Sequence, residues 1–217
     1  MNELNHSNHS KRIATNTLVL FARMLIITIV NLYTVRWVLK GLGTEDYGIY
    51  NAVAGVVTTG TCISSVLAMA TQRFYSYAIG LGEKEKLTRI FSASVNLVIV
   101  FSIITILVLE LVGNWFVSTQ MTIPADRLSA ASWVFQFSIF SFIFTLLQIP
   151  YIGAIFSNED MGVYALVSSV DCFIKLMIAA LICMFGFDHL ILYSGAMMIE
   201  SGLVMVVYML ILSLIHI

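Results

Sequence analysis

The chain has 217 residues, of which 59% are hydrophobic and only 11% charged, with a formal net charge of −1. Its mean hydropathy is +0.95. A soluble domain carries about a quarter charged residues, so this composition excludes an ordinary soluble domain. The absence of a basic run interleaved with aromatics excludes a nucleic-acid partner.

The expected organisation is all-α: a polytopic membrane protein with about six transmembrane helices in one bundle. Residues 1–13 (MNELNHSNHSKRI) form a short polar cytoplasmic tail, and 14–217 the transmembrane bundle. The tail is too uncharged at its start for a signal peptide, and no small-residue cleavage site follows the first apolar run, so that run is a retained span. His6 and His9 form an HxxH in the tail, which reads as polar chain and not as a metal site.

Span one covers about 15–39, long enough for a bilayer that needs roughly 20 helical residues. Gly41 and Gly43 then break the helix. Thr44 can cap the next one, with Glu45 and Asp46 beside the positive end of its dipole. Tyr33, Trp37, Tyr47 and Tyr50 sit near the edges of this hairpin, at headgroup level. Span two covers about 46–72, and a polar connection follows from Arg73 to Arg89. Span three covers about 90–112, and a loop containing Pro124 runs from Gly113 to Asp126. Span four covers about 128–156 and carries Pro150 near its end. After a tight polar break at Ser157–Asp160, span five covers about 162–185. A second tight turn, Gly186–His189, leads into span six, from about Leu190 to the last residue. Cys62, Cys172 and Cys183 all lie in apolar runs without CxxC spacing and read as small packing residues.

Orientation follows from Lys and Arg. With the N-terminus inside, the inner segments hold Lys11, Arg12, Arg73, Lys84, Lys86 and Arg89, and the outer ones only Lys40 and Arg127. That bias places the N-terminus in the cytoplasm. Span six is still apolar at Ile217, with no basic flank or polar tail. The expectation is therefore a fragment, with a second bundle missing and the closing SLIHI open to question as native sequence.

Charges deep in a bilayer cost at least about 2.5–3.5 kcal/mol on insertion scales. Four lie deep here: Arg23 in span one, Asp171 and Lys175 in span five, and Glu200 in span six. Arg36 and Glu110 lie near span ends and can snorkel. Asn16, Arg23 and Thr34 fall on one line of a helix, with Asn31 to one side. Such a stripe faces a water-filled cavity, or else carries a structural arginine buried against helix carbonyls. Asp171 and Lys175 are spaced i, i+4, the register of an intrahelical ion pair. Lys175 and Glu200 lie equally far from the centre of the turn between spans five and six. A hairpin brings them to one depth, where Lys175 can be shared between Asp171 and Glu200. The alternative use of this set is a static network that fixes helix packing.

Span four places Ser138, Ser141, Thr145 and Gln148 on one polar face, a candidate cavity lining. Span two carries Gly55, Gly60, Ser64 and Ser65, small residues that allow close helix packing. No HExxH, GxSxG or Walker A run occurs, so no enzyme, metal or cofactor is expected.

The segments RIATNTLVLFARMLI (12–26), LYTVRWVLKGLGTEDYGIYNAVAGVV (32–57) and ATQRFYSYAIGLGEKEKLTRIFSAS (70–94) resemble polysaccharide-type flippases. These are lipid-linked oligosaccharide (O-antigen or capsule repeat-unit) exporters of the MATE-like transporter superfamily. IPADRLSAASWVFQFSI (123–139) and, more weakly, PYIGAIFSNEDMGVYALVSSVDCFIKL (150–176) continue the resemblance. The LGTEDYG turn is its most specific piece. The resemblance implies the N-terminal lobe of a fold of two six-helix bundles around a central cavity with alternating access, in a bacterial cytoplasmic membrane. It implies that Arg23 and Lys175 meet the pyrophosphate and acidic sugars of the substrate, with Asp171 and Glu200 as candidates for ion coupling. Asn16, Asn31, Thr34, Ser141, Thr145 and Gln148 would then line the cavity. The partners implied are the lipid-linked oligosaccharide, membrane lipid, and a second half or a second copy. A MATE-type drug or cation antiporter and a non-transporting membrane scaffold are the competing expectations.

Overall fold

The computed structural model describes residues 2–82, 84–182 and 188–216. Every regular element among them is helical: α1 (Asn2–Thr58), α2 (Thr61–Leu81), α3 (Lys84–Val108), α4 (Asn114–Thr119), α5 (Leu128–Ser157), α6 (Met161–Leu181) and α7 (His189–His216). A π-turn, Leu109–Gly113, joins α3 to α4. The side chains of His6 and His9, Cys183, and Gly186–Phe187 of the expected turn lie outside the described residues.

Five stretches are long and apolar enough to cross a membrane: Ala14–Thr58, Glu85–Val117, Leu128–Ser157, Met161–Leu181 and His189–Leu214. The chain therefore reads as a multi-pass membrane protein. Ala14–Thr58 has 45 residues, or roughly 68 Å of helix, about twice what a bilayer of about 30 Å accommodates. Gly43 divides it, with φ 81° and ψ 173°, a region essentially closed to residues with a Cβ. Of the two glycines expected to break the helix, only Gly43 leaves helical geometry.

Three expected boundaries move. The 46–72 span is split between the end of α1 and α2, with a break at Thr59–Gly60. The connection expected at 73–89 shrinks to residues 82–83, because α2 runs on to Leu81 and α3 starts at Lys84. Gly82 closes α2 in the left-handed conformation (φ 71°) and donates its N–H to Ile79 O. The loop expected at 113–126 holds α4. Polarity marks where a span leaves hydrocarbon, and a helix continues past that point wherever its backbone bonds can.

α5 is the hub. It packs on α7, α2, α1, α3 and α6, and half of its most apolar stretch is buried, against 6–22% for the other four spans. Val134, Phe135, Ile139 and Leu146 of α5 are almost wholly enclosed. Around them close Val38, Val53 and Val57 of α1 and Leu190 and Tyr193 of α7. The outer helices present large apolar side chains outward, such as Leu18, Met24 and Leu32 of α1. That arrangement suits hydrocarbon as the surrounding solvent.

Candidate functional site

Three of the four deep charges meet where α6 packs on α7. Lys175 Nζ lies 2.9 Å from Asp171 Oδ1, one turn back on α6. It lies 3.7 Å from Glu200 Oε2 across the interface with α7. The ammonium thus stands between two carboxylates, the arrangement the equal spacing from the turn suggests. The two contacts are unequal. Asp171 accepts a hydrogen bond from Lys175, whereas neither Glu200 oxygen has a hydrogen-bond partner although its side chain is only 2% exposed.

Arg23 sits apart from this set, on the α1–α6 seam. Its Nε donates to Ser168 Oγ, and its Nη2 donates to Tyr164 Oη at 3.2 Å. The guanidinium lies 4.4 Å from the centre of the Tyr164 ring, a cation–π stack. Ser168 in turn donates to Tyr164 O, which anchors the acceptor on its own helix. The rest of the α1 stripe follows the same seam. Asn16 Nδ2 donates to Glu159 O, and Asn31 Oδ1 faces Cys172 Sγ at 3.6 Å. Thr34 is buried and donates back to Val30 O within α1. The stripe therefore runs along α6, where Ser168 and Tyr164 partner Arg23.

The α5 polar face divides. Ser138, Ser141 and Thr145 line a cavity of about 190 Å³ between α5, α7 and the end of α1, with Tyr50, Thr58 and Ser194 opposite. Gln148 turns away, buried, and donates to Ser201 O. Ser141 also shares a hydrogen bond of 2.6 Å with Ser201 Oγ. Ser201 follows Glu200 directly, so the α5 polar face holds the helix turn that carries the buried carboxylate. Neither Arg23 nor Lys175 lines this cavity.

A second ionic cluster went unread in the sequence. Arg127, before α5, forks between Asp46 Oδ2 at 3.0 Å and Asp188 Oδ2 at 2.9 Å. Asp46 lies just past the Gly43 break and is buried. Asp188 precedes α7 and accepts the N–H of Leu190 at 3.0 Å, an N-cap. One guanidinium thus ties the α1 break, the start of α5 and the cap of α7. The available signal was an Asp directly before an apolar helix, with two acids and one arginine on the same expected side of the membrane. Glu110, in the π-turn, accepts a hydrogen bond from Gln136 Nε2 at 3.2 Å.

No three His, Cys, Asp or Glu side chains among the described residues group closely enough to hold a metal. No protein-family model, curated protein or solved structure matches the chain.

Proposed function

We propose that the chain is a membrane transporter lobe that flips a lipid-linked oligosaccharide across a bacterial cytoplasmic membrane, with its N-terminus inside. The observation that carries the reading is the set Asp171–Lys175–Glu200 between α6 and α7, in which Asp171 and Lys175 are half-buried and Glu200, fully buried, lacks a hydrogen bond. An ionisable group at membrane depth is a functional candidate by default, and an incompletely satisfied one can change partner as helices move. The break at Gly43 supports counting 44–81 as a second crossing, which gives a six-span bundle. In this reading Lys175 meets the anionic head of the substrate when α6 and α7 part. Asp171 and Glu200 hold the ammonium between cycles and exchange it for the coupling ion. A second bundle, from further chain or a second copy, completes the pathway.

Arg23 fits a substrate role less well, because Ser168 and Tyr164 already occupy its guanidinium. That observation favours a second reading for the α1–α6 seam: a docking element that holds the lobe together.

The test is export of a polysaccharide repeat unit in cells that depend on this chain, read as surface glycan and as lipid-linked precursor left on the inner face. Lys175→Gln is expected to abolish export even when export is normalised to the inserted protein that remains. Arg23→Gln is expected to lower abundance and export together. Normal export with Lys175→Gln would sink the flippase reading. Export loss that only tracks lost protein would leave a scaffold, and cation extrusion without glycan export would mark an antiporter.

A further inference from the structure

Glu200 faces an acceptor where it needs a donor. Both its oxygens are buried without a hydrogen-bond partner, yet its carboxyl lies within side-chain hydrogen-bonding reach of Asp171. Two carboxylates cannot bond to one another, because each only accepts. Lys175 is the cation beside both, and it favours Asp171, at 2.9 Å against 3.7 Å. The other helices packed on α7 leave this balance alone. α5 brings the neutral Ser141 and Gln148 to Ser201, and Arg23 of α1 is taken up by Ser168 and Tyr164.

We propose that Asp171 and Glu200 form a proton-binding pair that Lys175 keeps empty: when an anion draws the ammonium away, one proton from solvent settles on Glu200, which then donates to Asp171. This rests on reading Lys175 as the group that meets the anionic head of a substrate. Three physical points carry it. Neighbouring carboxylates with no cation between them do not both stay ionised, and the pair takes one proton. A protonated carboxyl is a donor, so the same proton supplies the hydrogen bond that Glu200 lacks. The route is also present. The Asp171 and Lys175 side chains are 22% and 33% exposed, whereas that of Glu200 is 2% exposed. A proton arriving at Asp171 passes to Glu200 along the bond between them. One O–H bond forms, the contacts of Lys175 are given up, and no other bond changes. Linkage makes the effect reciprocal, so the anion binds more tightly as pH falls.

The test reads carboxyl protonation directly, by infrared spectroscopy of the full chain in an ester-free detergent at neutral pH. Lys175→Met imitates the departed ammonium. It is expected to add one protonated-carboxyl stretch to the spectrum of the parent, and Glu200→Gln introduced beside Lys175→Met is expected to remove that stretch. Should Lys175→Met fail to insert, Lys175→Gln makes the same comparison, since its amide carries no charge. No added stretch, or one that survives Glu200→Gln, would overturn the proposal. A stretch abolished by sodium ions would put a metal cation in the place of the proton and overturn it too. No substrate enters this measurement, so its outcome is separate from that of the export assay. A missing stretch with export still lost in Lys175→Gln removes the proton pair and leaves the flippase reading. An added stretch with normal export keeps the pair as a proton site and sinks the flippase reading.

Discussion

Two clusters in this molecule have the same composition, one cation between two carboxylates, and opposite states of completion. Arg127 reaches Asp46 and Asp188 at 3.0 and 2.9 Å through two different nitrogens. Lys175 reaches Asp171 at 2.9 Å but Glu200 only at 3.7 Å. The difference starts in the side chains. A guanidinium is a rigid fork that can serve two acceptors at once, whereas an ammonium is a point charge that must be shared. It continues in the surroundings. Arg127 lies at the helix ends, with Asp188 fixed as a cap. Lys175 lies within the spans, where nothing but other side chains can satisfy Glu200. A closed clasp suits a fixed joint. An open one suits a contact that is made and unmade, which is why the functional proposal rests on Lys175.

The comparison breaks most sharply at Lys175. Lys175→Met leaves Asp171 and Glu200 together with no cation. Removing one partner of a buried ionic group costs about 3–5 kcal/mol, and a large fall in the thermal unfolding midpoint in detergent is expected. Neutralising all three, as Asp171→Asn, Lys175→Met and Glu200→Gln, is expected to recover most of that loss. A single Lys175→Met as stable as the parent would show that the ammonium is not holding the carboxylates.

Arg127→Met is the matching cut in the other cluster, and its effect is expected to be smaller, about 1–3 kcal/mol, the cost of one unsatisfied buried acceptor. Only Asp46 is stranded, because Asp188 is one-third exposed and keeps its cap on Leu190. The loss is expected to be local, with faster amide exchange over residues 40–48 and no change on α6. Equal destabilisation by the two variants would erase the distinction between fixed and switchable clusters.

Gly43→Ala probes the joint that the Arg127 clasp guards. An added Cβ meets nothing within 4 Å, so any cost is backbone strain alone, about 1–3 kcal/mol for this region of φ and ψ. Asn tolerates the left-handed helical region but not this one, so Gly43→Asn is expected to unfold no later than Gly43→Ala. A variant with unchanged stability would mean that the α1 segments on either side of 43 can join into one straight helix.

These clusters were not equally legible. The Lys175–Glu200 contact could be read from residue counting, since an antiparallel hairpin brings equal offsets to equal depth. The α1 stripe could be read as a face from its helical angle. What that face meets could not, because Ser168 and Tyr164 lie more than 140 positions away and a stripe carries no label for cavity or helix. The Arg127 clasp needs three separate turns to converge, which no local pattern encodes. The end of α2 was misplaced for a different reason. Arg73 and its polar neighbours mark the membrane edge, and the helix simply passes through it to Gly82.

The smallest expected effect on stability is also the most discriminating. Glu200→Gln keeps shape and volume and removes a charge that neither accepts a hydrogen bond nor closes on Lys175. Lys175 keeps its contact with Asp171, so no charge is stranded while the desolvation penalty of a buried carboxylate is removed, and a shift within about 1 kcal/mol, in the stabilising direction, is expected. Lys175 then belongs wholly to Asp171. In Arg127's cluster the equivalent change, Asp46→Asn, discards a well-made contact and is expected to destabilise. Opposite signs for these two isosteric changes, read as thermal midpoints in the same detergent, would establish that Glu200 is retained at the expense of stability. Glycan export lost in Glu200→Gln, in a protein at least as stable as the parent, would tie that retention to transport. A clearly destabilised Glu200→Gln would instead make the α6–α7 cluster a second structural clasp, and the argument for a moving contact there would fail.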